Sequence, residues 1–195
     1  MFSLTGILIQ MKINSFGTDV VAAYSAYNNV DNFFWCFENS LGAAVMTIAG
    51  QNYGNNNPKR VKKAVFTGIT ISLIGAEIVG VIFYRYPDAL LRIFVKDAEV
   101  IEIGASMLRV VAITYWLYSF IESFICALKS CGHVVGSMYI SLIGVVGIRC
   151  LYLMFVPQTQ SFMPVLAFPI SWVFMAIAFT IFFFTRSDFK KEKKQ

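Results

Sequence analysis

The sequence predicts an all-α integral membrane protein, a bundle of six helices, and three observations carry that expectation. First, 57% of the 195 residues are hydrophobic and only 14% are charged, with a mean hydropathy of +0.66. Soluble domains carry about a quarter charged residues, so this balance points to a bilayer. Second, the apolar residues fall into long runs separated by short polar turns. Third, the basic residues gather beside those runs, at Lys59-Arg60-Lys62-Lys63 and from Arg186 to Lys194. Cytoplasmic ends of membrane helices have this pattern. The net charge of +5 is therefore not read as the broad basic face of a nucleic-acid binder.

The first segment covers residues 2–15, roughly 21 Å of helix. A span takes about 20 residues, so this helix reads as truncated at its beginning. The second, 20–49, is long and unusually polar. It runs into "GQNYGNNNPKR", Gly50 to Arg60, which reads as a tight turn. Gly54 and the asparagines tolerate left-handed backbone, and Pro58 can open a helix. The third segment, 64–86, stops at Pro87; the fourth covers 103–128; the fifth, 134–156, meets Pro157. The sixth, 164–185, has Pro164 near a permitted helix start. Residues 1–186 thus make one membrane lobe, followed by a basic tail at 187–195.

Orientation follows from lysines and arginines in the flanks. The turn after the second segment holds Lys59, Arg60, Lys62 and Lys63, the turn after the fourth holds Lys129, and the tail holds Arg186, Lys190, Lys191, Lys193 and Lys194. The other side holds Lys12, Arg85, Arg92 and Lys96. Ten against four places both termini in the cytoplasm of a multi-pass plasma-membrane protein. The four cysteines have no metal-ligand spacing and read as small buried hydrophobes. No metallohydrolase, serine-hydrolase or intramembrane aspartate motif is present, which argues against an enzyme.

The order of residues is more specific than their composition. "INSFGTDVVAAYSAYNNVDNFF", followed by "LGAAVMTIAGQNYGNNNPKRVKKA", resembles the multidrug and toxic compound extrusion (MATE) family, at the first two helices of its carboxy-terminal lobe. "LLRIFVKDAEVIEIGASMLRVVA" and "CALKSCGHVVGSMYISLIGVVGIR" are similar to the next loop and helices. The turn around Gly50, Gln51, Asn52 and Gly54 is the most specific part. The resemblance implies one lobe of a twelve-helix antiporter, with the amino-terminal lobe and part of the first helix missing. Such proteins expel organic, often cationic, compounds in exchange for Na+ or H+ by rocking between two states, and use no cofactor. Four positions depart from the family pattern: Lys129-Ser130 where arginine-glycine is usual, Ser137 where proline is expected, and Glu38 where an apolar residue or proline is common.

Charged groups inside membrane helices cost a few kcal/mol each, so they face a partner or a wet cavity. Asn28, Asp31, Asn32, Trp35, Glu38 and Asn39 recur at the spacing of one helical face. They read as a cavity wall whose acids attract cations and whose Trp35 offers a ring face, or as a polar seam between helices. Glu122 falls where the family often carries an acid, implying a proton or Na+ site; a structural acid is the other reading. Arg149 and Arg109 need partners. Matching depth pairs Arg149 with Glu77 or Glu38, and sets Arg109 level with Asp31.

The leading expectation is the carboxy-terminal half of a cation-coupled antiporter, with membrane lipids, an organic cation and either the missing lobe or a second copy of itself as partners. A lipid-precursor flippase of the same superfamily would want a more cationic cavity. An inactive remnant or a homodimeric half-transporter are the remaining readings.

Overall fold

A computed structural model describes residues 2–157 and 159–185; Gln158, expected on the outer side, and the basic tail lie outside the described residues. Every element among those residues is helical: α1 (Phe2–Asn14), α2 (Thr18–Gly54), α3 (Pro58–Arg85), α4 (Pro87–Leu91), α5 (Ala98–Ala112), α6 (Tyr115–Ser130), α7 (Val134–Ser141), a π-helical segment (Leu142–Ile148), α8 (Arg149–Phe155), a 3-10 turn (Met163–Leu166) and α9 (Ala167–Thr185). The all-α bundle holds.

By length and composition, Pro58–Arg85, Val134–Phe155 and Met163–Thr185 can each cross a membrane, and α5 with α6, bent by 51° at their break, pass the same test only when taken together. Their outward faces suit lipid: Ile74, Ile78 and Val81 on α3 and Ile177 and Ile181 on α9 are exposed. The long, more polar α2 runs through the middle, packed on α3, α5 and α6, while α6 also meets α3 and α9.

Three boundaries differ from the sequence reading. The Gly50 turn is shorter than expected. Gly50, Gln51, Asn52 and Gly54 all lie within α2, and the left-handed residue is Asn56, at φ 52°. The asparagines stop the helix through backbone bonds, from Asn56 N to Tyr53 O and from Asn57 N to Asn52 O. The Asn57 side chain then caps α3 by accepting from Arg60 N at 3.2 Å, with Pro58 at the first helical position. Gly50 lies against Ser130, where a Cβ would stand at an ordinary contact distance of 3.4 Å.

The fourth segment, expected as one helix over 103–128, is α5 and α6 with a break at Ile113–Thr114. Thr114 bends the chain by bonding its hydroxyl back to Val111 O at 2.7 Å, while its own N–H takes the same carbonyl. The fifth segment loosens into a π-helix over Leu142–Ile148. Gly144 faces Met175 there, 2.4 Å from where a Cβ would stand, so α9 presses directly on the widened backbone.

Candidate functional site

Two acidic clusters lie inside the lobe, both built where α2 faces α6. The first surrounds Asp31, which is 7% exposed. Trp35, one turn along α2, donates its indole N–H to Oδ2 at 2.6 Å. From α6 the Tyr115 hydroxyl donates to Oδ1, and the Tyr27 hydroxyl faces the same carboxylate. Phe34 stacks on the Tyr115 ring with centroids 3.7 Å apart, holding that donor in place. Both oxygens of Asp31 are therefore satisfied in a tightly packed aromatic setting.

The second cluster pairs two acids. Glu38, two turns further along α2, is fully buried. Ser119 donates to its Oε1 at 2.7 Å, but Oε2 has no hydrogen-bond partner among the described residues. Glu122, one turn beyond Ser119 on α6, accepts from the Tyr118 hydroxyl at 2.8 Å and from the Cys126 thiol at 3.2 Å. Gly42 makes this approach feasible, since a Cβ there would stand 3.0 Å from Glu122 Oε1. The two carboxylates repel one another when both are ionised. A buried acid with an acceptor left open, beside a half-buried acid on the facing helix, can take up a proton or a monovalent cation.

Tyr118 joins the clusters. Its hydroxyl serves Glu122 while its ring meets Trp35 edge-on at 4.6 Å and Trp172 at 5.5 Å. A change in charge at Glu122 thus reaches the indole that holds Asp31 through two contacts.

The remaining expected residues separate. The polar face of α2 is split by its own curvature around the helix: Asp31 and Glu38 turn into the lobe, Asn28 and Trp35 are half-buried, and Asn32 and Asn39 are exposed. Asn39 donates to Trp35 O at 2.8 Å. Ser25, Cys36 and Thr47 continue that exposed line, so Cys36 is not buried as the composition suggested.

The expected ion pairs do not form among the described residues. Arg149, 2% exposed, donates from Nε to Ser171 Oγ at 2.9 Å and lies 4.5 Å over the Phe168 ring. It pairs with neither Glu77 nor Glu38: Glu77 is on the exposed side of α3, and equal depth along two helices does not make them face each other. Arg109, in the last turn of α5, bridges to Asp88 on α4 at 3.5 Å, rather than to Asp31.

Sequence reasoning missed Tyr115, Tyr118 and Ser119, which supply the second wall. Their signal was present, as Tyr115, Tyr118, Ser119, Glu122 and Cys126 recur at helical spacing on one face of α6.

An all-α membrane bundle with acids facing each other across two central helices is the class that fold and site define. The MatE family model matches residues 1–154, and the chain belongs to that family. It is 27% identical over 187 residues to the "Probable multidrug resistance protein NorM" of Pasteurella multocida, covering 93% of this chain and 38% of that protein. It is 25% identical over 147 residues to the "Probable multidrug resistance protein YoeA" of Bacillus subtilis, covering 75% of this chain and 32% of that one. The fold matches a solved multidrug resistance MATE family transporter in an outward-facing conformation, with a TM-score of 0.86 at 15% identity, over 97% of this chain and 44% of the other. The chain thus spans between 32% and 44% of the length of these proteins, the share that one lobe of two would take.

Proposed function

We propose that the chain forms one six-helix lobe of a secondary antiporter in the plasma membrane, which exports organic, preferentially cationic, compounds in exchange for Na+ or H+ by alternating access. The observation that carries this reading is the fully buried Glu38, whose Oε2 has no partner among the described residues, with the half-buried Glu122 on the facing helix. Two acids on facing helices suit a site that trades one cation for another. Asp31 and Trp35 are the neighbouring wall, and Asn28, Asn32 and Asn39 line the α2 face that meets the substrate path.

The exposed polar line on α2 supports a partner. In hydrocarbon, polar groups facing lipid are costly, so a second six-helix lobe, from the same polypeptide or another copy, would cover that face and enclose the cavity with it. The relatives described as multidrug resistance proteins agree with this reading.

The test uses the whole chain in lipid nanodiscs with two ions of matched size, tetraphenylphosphonium and tetraphenylborate, each corrected for empty nanodiscs. The phosphonium is expected to bind more tightly, and the preference to vanish in Glu38→Gln and Glu122→Gln. Equal binding of the two ions to the wild-type chain would remove the argument for a cation exporter.

A further inference from the structure

At the end of the lobe opposite the asparagine turn, residues 86–97 connect α3 to α5. Because α3 can cross the membrane, this connection stands at the headgroup level of one leaflet. It carries α4, too short to act alone, and three exposed apolar side chains: Tyr86 at 61%, Ile93 at 73% and Phe94 at 43%. Beside them opens a cavity of about 570 Å³ whose charged lining is Asp88, Arg92, Lys96 and Glu102. Asp88 is already matched by Arg109 at 3.5 Å. Two cations and one acid remain to face an occupant.

We propose that this cavity binds the headgroup of a zwitterionic phospholipid carrying a primary ammonium, phosphatidylethanolamine by chemistry. Arg92 and Lys96 take the phosphate, since both offer donors to its oxygens. Glu102 accepts from the ammonium. The exposed Tyr86, Ile93 and Phe94 dip into the boundary beneath, where aromatic and apolar side chains anchor a protein to the interface. The mixed lining is what selects the ligand. Phosphatidylglycerol offers the same phosphate but no ammonium to offset Glu102, and a choline headgroup has no N–H to donate to it.

The test is lipid retention by native mass spectrometry of the whole chain, released from nanodiscs containing equal parts of phosphatidylethanolamine, phosphatidylcholine and phosphatidylglycerol. The wild type is expected to keep the ethanolamine lipid preferentially. Arg92→Gln with Lys96→Gln should cut retention roughly fivefold for each charge removed, and Glu102→Gln should abolish the preference over phosphatidylglycerol. Lys62→Gln with Lys63→Gln, at the other end of α3, should change neither. All four cavity side chains are exposed, so the variants keep the fold, which an unchanged thermal transition verifies. Equal retention of the three lipids by the wild type, or full retention in the Arg92 and Lys96 double variant, would overturn the proposal. Preferential retention of phosphatidylglycerol would overturn it too, in favour of a simple basic patch.

Discussion

Asp31 and Glu38 sit two turns apart on one helix, face the same neighbour and are equally hidden, yet their surroundings differ in kind. Asp31 is held by Trp35 and Tyr115, with Tyr27 facing it, inside a stack of rings. Glu38 has one serine hydroxyl, an oxygen without a partner and a second acid nearby. A buried acceptor left open costs about 1–3 kcal/mol, a cost that a structural acid has no reason to keep. The contrast teaches that burial alone does not mark a working carboxylate; incomplete satisfaction does. On the proposed function, Asp31 organises the wall and Glu38 with Glu122 is the part that changes state.

The largest expected effect is therefore functional. Glu38→Gln should lower tetraphenylphosphonium binding more than tenfold, at least about 1.4 kcal/mol, with the thermal transition nearly unchanged; isothermal titration and a melting curve on the same sample check both. Asp31→Asn should do the reverse. Its amide would point N–H at N–H toward Trp35 or leave Tyr115 without its acceptor, and the expected loss is about 2 kcal/mol of stability, with cation binding within a few-fold of wild type. If Asp31→Asn removed binding from a folded protein, the division between the two acids would fail.

Two glycines sharpen the same contrast. A Cβ at Gly80 would stand 2.9 Å from the carbonyl oxygen of Ala112, a backbone atom that cannot swing aside, so Gly80→Ala should cost about 1–3 kcal/mol. At Gly42 the neighbours are the Glu122 carboxylate and the Cys126 thiol, which can move. Gly42→Ala should therefore melt close to wild type but weaken cation binding by pushing Glu122 away from Glu38. The smallest effect is expected at Arg149→Met. With no acid to orphan, replacing a buried charge by an apolar side chain of similar length should shift stability by less than about 1 kcal/mol. A loss of several kcal/mol in chemical denaturation would reveal a partner for Arg149 that the Ser171 and Phe168 contacts do not supply.

Much of this was legible in the sequence. Apolar runs and basic flanks give the bundle, and the 3.6-residue period finds the Asp31 and Glu38 face of α2. The break at Thr114 was not legible, because neither proline nor glycine marks it; a threonine hydroxyl turned onto its own helix does. Nor could the Arg149 pairing be read. Depth along a helix follows from counting residues, but azimuth does not, and the π-helical segment just before Arg149 alters it further.

The most direct measurement is proton or Na+ release on adding tetraphenylphosphonium to the chain in weakly buffered nanodiscs, comparing wild type, Asp31→Asn and Glu38→Gln. The account predicts release by the wild type and by Asp31→Asn, and none by Glu38→Gln. Undiminished release from Glu38→Gln would contradict it, because the ion given up would then come from somewhere other than the Glu38–Glu122 pair.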